Sequence, residues 1–458
     1  MANVSTKKVS PRLIAGFRDQ SPSNMILKRR VMEILIKQFE LFGFDPFDSA
    51  TVQLETVLFG EDEWTDMAYF RTWNNQTRMT QDSEKMALRF DLTVPLGSYV
   101  ARNIETISRP FARWQIGNVF RGEKPSDGRF REFTQCDADI LFAPGVASDV
   151  QIVALMSSVM NALDVGFQIR INNRKTLNGL PIAFKFDPEI LVPVLQILDK
   201  RDKIGEEGIR FELRGSPDDK GEFQTTDLGL SSDQIEQLIA FTNIEGENTE
   251  RLDQAAQIMQ GIPGALAGIE ELRELLALAT MSGVDESNIL VDLSMVRGLG
   301  YYTGPIFETI LTDRPELGSV FAGGRYDNLV GRFSDASVPA TGASFGIDRF
   351  LAYAKSEGLY KTPLTMNQVL VAYQPDTLVT ATQVVAKLRE AGVRALLYDG
   401  EDITFRHQIG HAKVLQIPWV VIVGSREVAD GTVALKNMLK RTQDSMSVSA
   451  AVEKILAV

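Results

Sequence analysis

Apolar residues recur at helical spacing from Leu27 through Val31, Ile34 and Leu35 to Phe42. That period predicts one long amphipathic helix. Ser21 and Pro22 supply its start, a side-chain cap followed by a first-turn proline. Gly43 supplies its stop, and Phe44-Asp45-Pro46-Phe47 leaves it as extended chain. Between 111 and 142 the period changes to two. Trp114 to Arg121 and Arg129 to Phe142 are the arms of a predicted hairpin. Lys124-Pro125-Ser126-Asp127-Gly128, rich in turn formers, is its loop. On the second arm Phe130, Glu132, Thr134, Cys136, Ala138, Ile140 and Phe142 point one way. Arg129, Arg131, Phe133, Gln135, Asp137 and Asp139 point the other.

From about 167 to 285 the pattern is mostly helical, which predicts an inserted domain. Strand signals occur there at Phe167 to Ile171 and Ile209 to Leu213. Helices are expected over Ser232 to Phe241, Glu250 to Gln260 and Ile269 to Ala279. Strand signals return at 289 to 311 and again before Gly323-Gly324-Arg325-Tyr326-Asp327. A helix follows the segment Thr341 to Phe350. Ser356 to Pro363 reads as a linker. Beyond it strands and helices alternate: Val369 to Tyr373, Asp376 to Glu390, Ala395 to Tyr398, Phe405 to Leu415 and Trp419 to Val423. Such alternation predicts a small α/β domain with a largely parallel sheet. The expected division is 1–166 and 286–356 for a split core, 167–285 for the insert, 357–367 for the linker and 368–458 for the last domain.

A chain of 458 residues can bury a large core across several domains. With 48 basic and 60 acidic residues the formal charge is −12. That argues against an indiscriminate nucleic-acid binder, while an RNA partner met through a local basic patch stays open. The single cysteine, Cys136, rules out an internal disulfide and fits a reducing compartment. It reads as a buried structural thiol. With only His407 and His411 besides, no Cys/His ligand spacing exists, so no protein-bound metal is expected. Met1 to Gly16 lacks an apolar signal core, and no apolar run reaches the roughly 18 residues that span a membrane. The expectation is a cytoplasmic protein with no membrane partner.

Two segments carry candidate chemistry. Arg297-Gly298-Leu299-Gly300-Tyr301-Tyr302-Thr303-Gly304 places a fixed cation and two phenols between strand-like runs. Arg suits phosphate or carboxylate; Tyr offers a donor and an acceptor on a rigid apolar body. The segment reads either as a wall of a site for a small anionic, partly aromatic ligand or as a tight turn with ordinary strand tyrosines. The polar face of the hairpin is the second segment. Arg121 and Glu123 on one arm, with Arg129, Phe133, Gln135 and Asp139 on the other, suit a dry core poorly. They form either a ligand face or a solvated sheet face with surface ion pairs. As a ligand face it has two ends, because Asp139 lies roughly 20 Å from Phe133 at strand rise.

The Arg297–Thr303 run resembles the histidine-specific signature of histidyl-tRNA synthetases, usually RGLDYY, with Gly300 where the family has Asp. Phe120-Arg121-Gly122-Glu123 together with Gly128 to Asp139 resembles motif 2 of class II aminoacyl-tRNA synthetases in its histidyl form. Gly342 to Arg349 resembles motif 3, and Gly323 to Asp327 a further histidyl stretch. Ala87-Leu88-Arg89-Phe90-Asp91-Leu92-Thr93 is similar to the family's amino-acid-binding strand. The helix after Ser21 partly resembles motif 1, a dimer element, although the motif's proline falls at Ala50; packing within its own domain is the other reading.

The resemblance implies an α+β fold: a class II antiparallel-sheet catalytic core with a helical insertion, plus a C-terminal α/β anticodon-binding domain. It implies L-histidine, ATP with Mg2+ and tRNA(His) as ligands, and a homodimer. It gives Arg121 and Arg297 catalytic roles at the α-phosphate, with Arg297 also near the substrate carboxylate. Glu123, Phe133 and Arg349 would join Arg121 in holding ATP. Asp91, Thr93 and Gln135 would hold the α-ammonium, and Asp139 and Tyr302 the imidazole, with Tyr301 lining the pocket. Lys124 and Arg131 would meet the acceptor stem. The insert from Thr72 to Met86, longer than the family's usual connection, is expected to be a flexible loop near the pocket. A second family shares the core: the regulatory subunit of ATP phosphoribosyltransferase. It generally lacks the anticodon domain and loses motif residues.

Overall fold

The computed structural model describes residues 10–60, 68–72, 85–125, 130–215, 227–296 and 301–457. Arg297, Gly298, Leu299 and Gly300 lie outside the described residues, as do Ser126 to Arg129 and the stretch 73–84. The chain divides into two compact units. Met1–Arg18 and Val31–Ser356 form one; Asp19–Arg30 and Glu357–Val458 form the other.

The helix foreseen from the apolar period runs Pro22–Leu41, with the Ser21 hydroxyl accepting from the Asn24 N–H at 3.3 Å. Gly43, at φ +80°, turns the chain out of it, and Asp45–Pro46 becomes a short edge strand. The first unit is built on an eight-stranded sheet. In spatial order its strands are Asp45–Pro46, Phe111–Phe120, Glu132–Leu141, Ala340–Phe345, Phe321–Arg325, Pro305–Leu311, Phe167–Asn173 and Ile289–Val291. The six central strands pair antiparallel, and a short parallel strand closes each edge. Glycine and alanine dominate the middle of the sheet, so its centre is thin and can carry a ligand on one face.

Strand Phe167–Asn173, which the pattern places within the insert, pairs with Pro305–Leu311 and belongs to the core sheet. The helical insertion follows it. The strand signal at Ile209 to Leu213 is corrected: helix Arg201–Arg214 occupies it. Ile209 and Leu213 are four residues apart and both buried, so they share one helical face. Arg210 pairs with Glu206 and Glu207 on the same helix, a pattern only helical spacing allows. The three helices expected later in the insert run Ser232–Thr242, Asn248–Ile258 and Pro263–Met281.

In the first unit Arg325 reaches from its strand to Asp149 on helix Val146–Ala162 at 2.7 Å, and donates to the Ala143 and Gly145 carbonyls at 2.8 and 2.9 Å. This buried pair is held by hydrogen bonds on several sides, which offsets its desolvation. It fixes the strand that leads into Tyr326.

The second unit carries a five-stranded sheet. Val369–Tyr373 is flanked in parallel by Ala395–Leu397 and Trp419–Val423. Val433–Asn437 and Thr442–Met446 then continue the sheet antiparallel. The parallel part matches the sequence pattern; the antiparallel pair was not foreseen. Val369, Val371 and Tyr373 pack into one apolar cluster, and Leu370 and Ala372 into another. Both faces of the central strand are therefore covered, as its unbroken apolar run requires.

Candidate active site

Strand period and register build the site. Along Glu132–Leu141, Phe133, Gln135, Asp137 and Asp139 share one face, as expected. Opposite them on the hairpin partner stand Val119, Gly117, Gln115 and Arg113. On the other side Ser344 pairs with Asp137 and Gly342 with Asp139. Gly324 follows beside Gly342. These two glycines keep the floor open. A Cβ at Gly342 would sit 2.0 Å from Asp139 Oδ1, and one at Gly324 would sit 2.9 Å from Tyr302 Cδ1.

At one end of this face lies a cavity of about 480 Å3, lined by Arg121, Glu123, Phe133 and Arg349 among others. Arg121 lies with Cζ 5.1 Å from the Phe133 ring centroid, and its Nε donates to the Phe90 carbonyl at 3.3 Å. A half-buried aromatic ring lining the cavity, a cation and a carboxylate thus converge as a base and phosphates require. Arg349 donates to the Ser319 carbonyl. Its neighbour Asp348 accepts from the Thr134 N–H at 2.8 Å and pairs with Arg18. Arg18 lies 3.6 Å over the Phe130 ring. Hairpin and helix are so tied together at the cavity. Lys124 is exposed at the cavity wall. Arg131 instead donates to the Glu123 and Ala15 carbonyls, at 2.9 and 3.2 Å.

At the other end Arg113, Asp137 and Asp139 are buried, and Asp91, Thr93, Tyr301 and Tyr302 are half-buried. Asp139 is 3% exposed; its Oδ2 pairs with Arg113 Nη2 at 2.7 Å and its Oδ1 accepts from the Tyr326 hydroxyl. Each carboxylate oxygen has two acceptor sites, so both retain capacity for a ligand. Tyr301 stacks on Tyr326 with centroids 5.2 Å apart, and meets Tyr302 edge-on at 5.3 Å. The Thr93 and Asp91 side chains lie near the Tyr301 hydroxyl. Asp91 Oδ1 accepts from the Val94 N–H at 3.1 Å, at the start of helix Thr93–Arg102. Gln135 donates through Nε2 to the Ser344 hydroxyl at 3.2 Å.

Burial sets the electrostatics here. It raises the Asp91 carboxyl to about 6, against the Val94 N–H and the Arg121 charge. It raises Asp137 to about 7, against the Arg113 guanidinium, and lifts Asp139 above the ordinary carboxylate range. The hydroxyls of Tyr301, Tyr302 and Tyr326 are raised too, again by burial. They stay neutral at pH 7 and can donate.

The structure brings Arg121, Glu123, Phe133 and Arg349 around the cavity. It brings Asp91, Thr93, Asp139, Tyr301 and Tyr302 together at the other end, with Gln135 between. Arg297 lies outside the described residues. Three members had no assigned role: Arg113, Asp137 and Tyr326. Asp137 was legible as a member of the polar face. Tyr326 lay in a recognised stretch. Arg113 carried only a parity signal, eight residues before Arg121. Among the described residues no group of His, Cys, Asp or Glu is arranged to hold a metal ion, and no helix is long and apolar enough to cross a membrane.

Residues 16–350 match the family model described as histidyl-tRNA synthetase, and residues 363–458 match the anticodon binding domain. Histidine--tRNA ligase of Wolinella succinogenes is 35% identical over 455 residues, covering 98% of each chain. That of Dinoroseobacter shibae is 34% identical over 457 residues, covering 95% of this chain and 91% of the other. Among solved structures, histidyl-tRNA synthetase from Nostoc sp. PCC 7120 superposes with a TM-score of 0.84 at 29% identity, over 98% of this chain and 100% of that one. An ATP phosphoribosyltransferase regulatory subunit/histidyl-tRNA synthetase from Bacillus halodurans C has a TM-score of 0.72 at 20% identity, over 92% of this chain and 100% of that one.

Proposed function

The chain belongs to the histidyl-tRNA synthetase family, and from that premise we propose how it joins L-histidine to tRNA(His). The histidine carboxylate attacks the α-phosphate of ATP, brought as its Mg2+ complex, and pyrophosphate leaves. A terminal ribose hydroxyl of the tRNA then attacks the activated carbonyl, and AMP leaves. The first nucleophile is already ionised, so positioning and charge stabilisation carry the step without a dedicated base.

One observation carries this reading. A single strand face runs from Phe133 at the cavity to Asp139 in the buried pocket. Adenine stacks on Phe133, with Arg349 over its other side and Glu123 accepting from its amine. Arg121 stabilises charge growing on the α-phosphate. Arg297 acts there and at the substrate carboxylate. Asp91, Thr93 and Gln135 take the α-ammonium. An imidazole needs one donor and one acceptor partner; the neutral phenol of Tyr302 and the Asp139 carboxylate supply both, and Tyr301 lines the pocket. Lys124 faces the acceptor stem, and the domain matching 363–458 reads the anticodon.

The protein works in the cytoplasm as a homodimer. The homodimer rests on the partial resemblance of helix Pro22–Leu41 to motif 1, a dimer element. The regulatory-subunit reading has little beside this. Its structural likeness at 20% identity speaks for the fold alone.

Charging of a tRNA(His) transcript with labelled histidine tests the proposal. The full chain is expected to charge it, and no charging by folded protein with MgATP would refute the ligase reading. A chain ending at Ser356 and folded by circular dichroism is expected to keep histidine-dependent pyrophosphate exchange but charge poorly. Equal charging would remove the anticodon assignment and leave the catalytic one standing.

A further inference from the structure

We propose that Asp137 is a further substrate-binding residue, whose carboxylate joins Gln135 and Asp91 in receiving the α-ammonium of the amino acid. The proposal rests on the histidine-activating reading of the site and extends it by one contact.

The motive is a pair of orphan acceptors. Gln135 Oε1 and Asp137 Oδ1 are both buried and neither has a hydrogen-bond partner. They lie two residues apart on the same face of one strand. The amide end of Gln135 is anchored on Ser344, so its oxygen is the end left over. Asp137 is 2% exposed. Its carboxyl meets the Ser344 hydroxyl and feels the Arg113 charge, but Arg113 Nη2 pairs with Asp139 at 2.7 Å and Asp137 Oδ1 keeps no hydrogen-bond partner. A buried acceptor left without a donor costs roughly 1–3 kcal/mol, so two side by side call for a ligand that only donates.

The charges agree. Asp137 is faced by Arg113 and Gln115 from the hairpin partner strand, by Ser344 from the other neighbour, and by Asp139, Asp91 and Tyr302. Asp137 and Asp139 both face Arg113, and Asp91 faces Arg113, Arg121 and Arg332, so three carboxyls gather where an ammonium would be received. A primary ammonium has three N–H donors and no acceptor. Gln135 Oε1, Asp137 Oδ1 and the Asp91 carboxylate are the acceptors to match them. Asp137 also lies about 7 Å short of Asp139 at strand rise. The face then reads in order: adenine at Phe133, ammonium at Gln135 and Asp137, imidazole at Asp139. Burial favours the protonated carboxyl in the empty pocket, and an arriving cation restores the charged form.

Calorimetry on the full chain tests this with two ligands, histidine and its des-amino analogue 3-(imidazol-4-yl)propanoate. Asp137→Asn is expected to weaken histidine roughly 10–100-fold, as losing a charged hydrogen bond does. It should leave the analogue unchanged. Equal weakening of both ligands would assign Asp137 a structural role and overturn the proposal; unchanged histidine affinity would overturn it too. Failure of the wild type to bind histidine would strike the histidine reading instead. A crystal structure of the wild type with histidine decides independently of the variant's folding. The α-nitrogen is expected within about 3.2 Å of Asp137 Oδ1. A gap beyond about 4 Å contradicts the assignment.

Discussion

Arg121→Ala slows histidyl-adenylate formation by roughly 10²–10³-fold, the loss expected when a preorganised charge at a developing anion is removed. The reason is where the guanidinium stands. It is held against Phe133 at the cavity wall and braced by the Phe90 carbonyl. On the proposed reading, its charge then meets the α-phosphate without reorganising. The fold should not suffer, because Arg121 is only half-buried and, among the described residues, its guanidinium donates to a backbone carbonyl. Single-turnover adenylation, read beside thermal melting, checks both halves. Unchanged adenylation in a folded variant would show that another group carries the charge. Arg121→Lys should recover part of the rate, since a point charge replaces the planar fork.

Much of this site was legible because a strand has a period of two. Phe133, Gln135, Asp137 and Asp139 fall on one face by counting alone, and the register confirms it. The helix after Ser21 was legible from its cap, its apolar spacing and Gly43. What counting cannot give is which strands become neighbours. Arg113 pairs with Asp139 across the hairpin, and Tyr326 reaches it from just past the end of a strand, 187 residues on. Both contacts exist only once the sheet is assembled. The strand signal at Ile209 to Leu213 failed for a related reason. Two apolar residues four apart fit a helix, and the Arg210 ion pairs with Glu206 and Glu207 decide it. Thr442–Met446 was missed because this edge strand is mostly exposed and polar, so no apolar alternation marks it. The two glycines of the floor show the same limit. Their need for Gly is visible only beside Asp139 and Tyr302.

The second large effect separates the two ends of the face. Asp139→Asn is expected to weaken histidine roughly 10–100-fold while leaving ATP binding nearly intact. The asparagine can still accept from Tyr326. Its amide, however, meets Arg113 and the imidazole N–H as a donor facing donors, and the negative charge is gone. Phe133→Ala should do the reverse, weakening ATP through lost stacking, worth roughly 1–3 kcal/mol per base. Titration of each variant with each ligand gives four affinities. Losses shared equally between both ligands in both variants would contradict a two-ended site.

On the proposed reading, the buried end of the face selects histidine and the cavity end activates it. ATP–pyrophosphate exchange with the full chain, run separately with each amino acid, tests that most directly. The arrangement of Asp139, Arg113, Tyr302 and Tyr326 predicts exchange with histidine and close to background with the others. Exchange driven by a different amino acid, or none with histidine in folded protein supplied with MgATP, would contradict it.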